Sequence, residues 1–352
     1  MNEETRPLVS VVTPFYNTEA YLPECIESVM RQTYQNWKYV LVNNCSTDRS
    51  AEIVLHYAGM DPRLRLVNNE KFLSQVDNYN YALRQISPNS KYCKIVQADD
   101  LIFENCLEEM VRAAERAPNV ALVGSYSLYD PLPVYSERPY VGHGGLPYTC
   151  RLVSGKEILR RYLAERLSLF GSPTCVMFRT SDVLASSNFF SLRSPVEDIE
   201  ACFDVLQKGD FAFAHQVLTF NRRQEGSFWW KISSLDADAL NKFILIHRYG
   251  RKLFNNDEFE ALFRRIRSEY YRCLGDAVLR VKPLEYWEYH RAGLSTVGQK
   301  IQKPYLAWHV SRAVAEFLAN PKGIAGRLLR AAASMKRLKR DQRKLGDAKV
   351  GA

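Results

Sequence analysis

Lys91-Tyr92-Cys93-Lys94-Ile95-Val96-Gln97-Ala98-Asp99-Asp100-Leu101 is the stretch that decides the fold. Mostly β-favouring residues run straight into two adjacent carboxylates, which predicts a buried strand carrying acids at its own C-terminal end. Open α/β sheets bind ligands at the carboxyl ends of their strands. Adjacent acids there suit a hard divalent cation, which takes oxygen ligands and commonly bridges a carboxylate to a phosphate. A diphosphate substrate is therefore the first expectation. The alternative is that Asp99 and Asp100 only cap and open the next helix.

Working outward, residues 8–13 read as a buried strand that Pro14-Phe15-Tyr16-Asn17 breaks. Asn17 or Thr18 can cap a helix whose apolar positions Leu22, Ile26, Val29 and Met30 recur at helical spacing. Residues 37–42 form a second strand ending in the turn cluster Asn43-Asn44-Cys45-Ser46-Thr47-Asp48, before another helical segment. A strand at 64–67, a helix at 76–86, a helix at 104–116 and a strand at 120–123 complete an alternation that implies an α/β, doubly wound, mostly parallel sheet. Prolines and glycines between Asp130 and Cys150 mark a long loop. A helix at 154–167 and a strand at 174–178 follow, and Pro195-Val196-Glu197-Asp198 opens a helix that Gly209 stops. The strand at 211–220 leads into Asn221-Arg222-Arg223-Gln224, and beyond Phe228 the pattern is helical.

Bulk properties narrow the class. Hydrophobic content of 46% with 25% charged residues is that of a globular protein. Neither an export signal at residues 1–6 nor an apolar run near the roughly 20 residues that span a bilayer is evident, so a cytoplasmic location is expected. Eight cysteines without a Cys-x-x-Cys pair argue against a zinc site and against a disulfide framework. The net charge of +9 is concentrated: ten Lys/Arg against Asp341 and Asp347 from Lys322 onward leave about +1 for residues 1–321. In that tail Ile324, Leu328, Ala331, Met335, Leu338 and Leu345 share one helical stripe among basic residues. This basic amphipathic pattern suits an anionic membrane surface, with a solvated polar terminus as the alternative. Nucleic acid is a disfavoured partner, since no basic surface precedes Lys322.

Taken together, these segments resemble the inverting family-2 glycosyltransferases, which share the GT-A fold. The resemblance covers roughly residues 8–230 and rests on four motifs in the family's order. Val9-Ser10-Val11-Val12-Thr13-Pro14-Phe15-Tyr16-Asn17 resembles the opening strand and nucleotide loop. Val42-Asn43-Asn44-Cys45-Ser46-Thr47-Asp48 resembles the Val-Asp-Asp-Gly-Ser-Thr-Asp turn. Gln97-Ala98-Asp99-Asp100 sits at the Asp-x-Asp position, and Glu197-Asp198 looks like the Glu-Asp base motif. The resemblance implies a nucleotide-sugar-binding half (1–125) and an acceptor and catalytic-base half of the same domain (126–230); the sequence pattern beyond it adds a helical extension (231–320) and the basic tail (321–352).

It further implies Asp198 as general base with Glu197 beside it, and Asp99 as ligand of Mn2+ or Mg2+. Gln224 would be a second ligand, standing where the family's later His is found. Thr13, Pro14, Tyr16, Asn17, Asn43, Asn44, Asn80, Gln97, Ala98, Asp100, Arg222 and Arg223 would border a nucleotide-diphosphate sugar, a UDP-sugar being the first expectation. The implied acceptor is a saccharide or a lipid-linked molecule. Several departures matter. Gln97 replaces the first Asp of Asp-x-Asp, Asn43 and Asn44 replace both Asp of the base-reading turn, and Tyr79 stands where an Arg is often found. Weakened metal dependence follows as an expectation, because amides carry no charge. The lost acids also motivate the alternative of a catalytically weak, nucleotide-sugar-binding or scaffold relative. Nucleotidyl transfer is disfavoured, as no Gly-rich, Lys-containing phosphate loop lies near residue 14.

Overall fold

Val9–Phe15 forms β1, and all seven of its residues are buried. A strand buried on both faces must lie between two layers, the condition that parallel sheets impose. β1 pairs in parallel with β2 (Trp37–Asn43) on one side and with β4 (Tyr92–Ile95) on the other, and β2 pairs with β3 (Leu64–Asn68). The connecting helices are α1 (Leu22–Met30), α2 (Ser50–Met60) and α3 (Gln75–Leu83). The computed structural model describes residues 6–130, 140–142, 146–165, 167, 169–192, 195–222 and 235–319.

After β4 come β5 (Leu101–Ile102), α4 (Cys106–Ala114), β6 (Val120–Tyr129), β7 (Tyr140–Gly142), β8 (Leu152–Val153) and α5 (Gly155–Ala164). A single 3-10 turn, Pro173–Cys175, leads to β9 (Val176–Arg179), α6 (Thr180–Leu184), α7 (Glu197–Leu206) and β10 (Asp210–Asn221). The strand order is β3-β2-β1-β4-β9-β6-β10-β5, with β7 on β6 and β8 on β10. Parallel pairing holds among β1 to β4 and between β6 and β10, while β9 enters antiparallel between β4 and β6. The sheet is therefore a mixed α/β sheet flanked by helices.

Alternate residues of the central strands supply two cores. Val9, Val11, Trp37, Tyr39 and Leu41 pack with Leu22, Ile26 and Val29 of α1 and with Leu107 and Met110 of α4. Val12, Val40, Val42 and Ile95 face α3, α5 and α7. The second core continues into the C-terminal helices α8 (Ala237–Leu253), α9 (Asn256–Leu279), α10 (Leu284–Ser295) and α11 (Lys303–Ala319). Phe243, Tyr249, Tyr270 and Tyr271 are buried there, whereas Trp308 is exposed. Tyr249 of α8 also donates to Asp204 of α7 at 2.9 Å, and Arg248 pairs with the buried Glu200 of α7.

Two local expectations are corrected. Pro14 and Phe15 continue β1 rather than breaking it, because pairing with β4 ends at Val12↔Ile95 and the Pro14 nitrogen points to that side, so no ladder bond with β2 is lost. Neither Asn17 nor Thr18 caps α1: the cap position is Tyr21, without a side-chain cap, and Pro23 sits in the first turn. All eight cysteines are free thiols, as expected for a chain without a disulfide framework.

Candidate active site

Parallel pairing brings the carboxyl ends of the first four strands to one edge, through registers such as Phe15↔Asn43 and Asn43↔Asn68. β1 delivers Tyr16 and Asn17 there. Asn17 has a φ of 49°, in the left-handed region that Asn tolerates. Its Oδ1 accepts from the Thr47 N–H at 2.8 Å, and its own N–H donates to Ser46 Oγ at 3.1 Å. The two loops are thus tied together before any ligand arrives. Tyr16 is exposed and meets the exposed Phe72 edge to face at 4.9 Å, a pair of rings on the rim that can take a flat base.

The two asparagines of the second turn are buried inside an amide network. Asn43 Nδ2 donates to Asn68 Oδ1 at 2.9 Å, and its Oδ1 accepts from the Ser46 N–H at 2.9 Å. Asn44 Nδ2 donates to the Leu73 carbonyl at 3.0 Å, while its Oδ1 accepts from Asn69 Nδ2 at 2.8 Å and from the Leu73 N–H at 2.9 Å. Both residues donate to oxygen, which a carboxylate cannot do. The amides have a local structural reason.

Thr13, fully buried, donates from Oγ1 to the Val96 carbonyl at 2.7 Å and lies 2.8 Å from Tyr39 Oη. It fastens β1 to β4. Pro14 lies within the buried strand, and Ala98 is buried beneath the loop that follows β4. Asn80 is likewise buried, clamping the Phe190 backbone through both amide atoms at 2.8 Å. Phe190 in turn packs edge to face on Tyr79 at 5.7 Å. These side chains are engaged internally and act by positioning their neighbours.

The loop after β4 separates its two acids. Asp100 is buried, with Oδ2 accepting from Asn221 Nδ2 at 2.6 Å and Oδ1 from the Arg222 N–H at 3.0 Å. Thr174 hydrogen-bonds it as well, and burial together with the neighbouring Asp99 charge pushes its carboxyl well above the usual range. Asp100 therefore brackets β4 to the end of β10. The Asp99 side chain hydrogen-bonds no other residue among those described, and burial raises its pKa against the opposing pull of Arg222. Arg222 Nε donates to the Asp99 carbonyl at 3.0 Å, its guanidinium lies over Tyr21 at 4.8 Å, and Glu24 of α1 takes its far end at 2.6 Å. Arg223 and Gln224 lie outside the described residues.

Glu197 and Asp198 occupy the first turn of α7, both half-buried. Burial pushes Asp198 up to about 6 despite a 2.7 Å hydrogen bond from the Ile199 N–H. Burial and the Asp198 charge push Glu197 up to about 7. Tyr79 of α3 meets the loop after β4, its hydroxyl accepting from Gln97 Nε2 at 3.1 Å. Burial raises its pKa first, and the charges of Asp99, Asp100 and Asp198 add to that rise.

Residues 10–184 match the sequence model described as Glycosyl transferase family 2. That stretch belongs to glycosyl transferase family 2. The glycosyltransferase GlyG of Streptococcus pneumoniae is 35% identical over 125 residues, which are 35% of this chain and 40% of that protein. EpsE of Bacillus subtilis, also named as a glycosyltransferase, is 26% identical over 253 residues, covering 70% of this chain and 83% of EpsE. The match thus spans about two fifths of the first relative and most of the second. Among solved structures, S. aureus TarS residues 1–349 in complex with UDP-GlcNAc superposes with a TM-score of 0.58 at 17% identity, covering 88% of this chain and 89% of that one. The mannosyltransferase PcManGT of Pyrobaculum calidifontis, in complex with GDP-Man and Mn2+, gives 0.53 at 16% identity, covering 96% and 88%. Both likenesses show the fold, which is GT-A.

For this family-2 chain the donor set decides what metal could be held. Among the described residues no group of three or more His, Cys, Asp or Glu side chains is placed around one point. Of the two acids after β4, Asp99 offers a carboxylate that no other described residue uses. That fits a cation held by one carboxylate with substrate phosphate oxygens and water, and does not fit an all-protein cage.

Four contributors escaped the sequence reading of this family-2 chain. Asn221 links Asp100 to Ser172, at 2.7 Å from the latter. Thr174 accepts from the Gln97 N–H at 3.0 Å. The fully buried Lys94 donates to the Thr174 carbonyl and, at 3.1 Å, to the Val176 carbonyl, holding the turn that carries Thr174. Phe72 completes the rim pair. A lysine inside an apolar strand was the one legible signal among them.

Proposed function

We propose that this chain transfers a sugar from a nucleotide-diphosphate donor, a UDP-sugar in the first instance, to a hydroxyl of a saccharide or lipid-linked acceptor, with inversion. What supports this reading is Tyr79, which hydrogen-bonds Gln97 at 3.1 Å beside Asp99 and whose pKa, raised first by burial, rises further with the charges of both Asp99 and Asp198. The acceptor oxygen attacks the anomeric carbon on the face opposite the diphosphate, the acceptor proton passes to the Asp198 carboxylate, and the carbon–oxygen bond to the diphosphate breaks with its electron pair leaving on phosphate. Asp198, held near 6, is ionised at neutral pH and still basic enough to take a proton.

Asp99 would hold Mn2+ or Mg2+, whose chemistry when bound is to neutralise charge on the departing diphosphate. Arg222 supplies positive charge beside Asp99 only after exchanging Glu24 for a phosphate. Tyr16 and Phe72 would take the base.

The test is Asp198→Asn in the full chain, with nucleotide-sugar binding followed by calorimetry and turnover by product formation. An enzyme of this design loses turnover by at least about 100-fold while keeping donor affinity, since general-base catalysis typically contributes 10²–10⁴-fold. A second reading, a catalytically weak binding relative, is motivated by the neutral Gln97, Asn43 and Asn44; such a protein binds donor in both forms and turns over in neither. A product that retains the donor's anomeric configuration overturns inversion.

A further inference from the structure

Val281 occupies the turn between α9 and α10 with a φ of 49°, and 85% of its surface is exposed. The left-handed region crowds a β-branched side chain against its own backbone, and here no burial offsets that strain. Gly or Asn would relieve it. Exposed Val278, Leu279 and Leu284 stand beside it, so four apolar side chains face solvent within seven residues. A strained, exposed apolar turn that the fold does not require is a reason to look for a function.

The place of the turn gives that function a partner. The Arg267 guanidinium lies over the Tyr305 ring at 4.7 Å, Tyr271 meets Tyr305 at 4.7 Å, and a Cβ on Gly275 would lie 3.1 Å from the His309 backbone. Contacts therefore advance along α9 and α11 in the same direction, and the two helices run parallel. At about 1.5 Å per residue, Val281 lies about 9 Å beyond the Gly275 contact and Ala319 about 15 Å beyond it, on the same side. The sequence that continues from α11 lies outside the described residues and carries the ten Lys/Arg and two Asp from Lys322 onward. One end of the molecule thus combines the apolar turn with the origin of the chain's concentrated positive charge.

We propose that this end docks on an anionic lipid bilayer. Val278, Leu279, Val281 and Leu284 enter the boundary between headgroups and acyl chains, and the segment from Lys322 onward is attracted by the surface charge. The turn itself is nearly balanced, with Arg280 and Lys282 close to Asp276 and Glu285, so the attraction belongs to the basic segment and the insertion to the turn. A symmetric contact between two copies is disfavoured, because it would bring two strongly basic segments together. No described helix is long and apolar enough to cross a membrane, which leaves surface docking as the mode.

The experiment is flotation of the full chain with vesicles of phosphatidylcholine alone and of phosphatidylcholine with phosphatidylglycerol. The protein floats with the anionic vesicles and stays behind with the neutral ones. Val281→Asn with Leu284→Asn lowers partitioning by at least about tenfold, given what burial of two such side chains is worth. That variant keeps its melting temperature, since Asn adopts the left-handed conformation more readily than Val. Replacing Lys336, Arg337, Lys339 and Arg340 by Gln lowers partitioning by about 100-fold or more and removes most of its salt dependence. Equal flotation of the turn variant and the parent overturns the proposal. So does self-association of the parent that the turn variant loses, with no flotation of either. Lipid binding is read without donor or acceptor, so its outcome is independent of the sugar-transfer reading.

Discussion

Gln97 Nε2 donates to Tyr79 Oη at 3.1 Å, so two departures from the family pattern, eighteen residues apart, are hydrogen-bonded to each other. Where the resemblance leads one to expect an Asp and often an Arg, this chain has an amide and a phenol. The replacement is paired and uncharged. Of the two acids after β4, it leaves Asp99 as the one whose carboxylate other described residues do not engage.

Gln97→Asp alone adds a third acid beside Asp99 and Asp100 and removes the amide donor to Tyr79, which predicts destabilisation by about 1–3 kcal/mol. Tyr79→Arg alone places a cation where Gln97 has no charge to answer it. The double substitution restores a charge pair. Chemical denaturation of the four proteins is expected to show a favourable coupling of about 1–3 kcal/mol, and strictly additive single effects would contradict the pairing.

Asp198 gives a pH prediction with a definite sign. Its carboxyl rises from an ordinary value near 4 to about 6 in the folded chain, so ionising it opposes folding. Stability contributed by the protonated form is present below about pH 4 and is lost as pH rises through about 6. Asp198→Asn is therefore expected to raise stability by about 1–3 kcal/mol at pH 7.5, with the gain vanishing near pH 4. In the parent, kcat/KM should climb with pH through about 6 as the base ionises. Thermal melts across pH check the first, and initial rates the second.

Asn44→Asp would look like a return to the family pattern. In this chain it places a carboxylate against the Leu73 carbonyl, to which Asn44 Nδ2 now donates at 3.0 Å. The expected result is a loss of about 1–3 kcal/mol with no gain in donor affinity. Urea denaturation and donor calorimetry read both quantities. A stable Asn44→Asp variant that binds donor more tightly would show that the amide is incidental.

What could be read from residues alone follows from the range of the interactions involved. β1 and β4 were legible because an apolar run followed by turn residues or acids is a local pattern, and the Glu197–Asp198 helix start is equally local. The insertion of β9 between β4 and β6 was not legible, since antiparallel pairing between strands so far apart in sequence leaves no periodic trace. Asn80 and Thr13 were visible as polar residues among apolar ones, but their partners, the Phe190 backbone and the Val96 carbonyl, are set by tertiary packing. The helix start at Leu22 was misplaced because Pro23, and not a capping side chain, defines it.

The C-terminal helices act on the candidate base through Arg248. Glu200 shares the first turn of α7 with Glu197 and Asp198, is only 2% exposed, and pairs with Arg248 of α8, which also reaches the Thr296 carbonyl at 3.5 Å. Arg248→Met strands a buried charge, and removing one partner of such a pair costs about 3–5 kcal/mol. It also takes the Arg248 cation away from Glu200, next to Glu197, whose carboxyl the Glu200 charge already pushes up. The Glu197 midpoint should therefore move to higher pH as well. Glu200→Gln with Arg248→Met removes both charges and is expected to recover most of the stability and the original midpoint. Denaturation melts and pH–rate profiles of the three proteins decide the matter: a single variant as stable as the double would mean that the pair does not hold α7 in place.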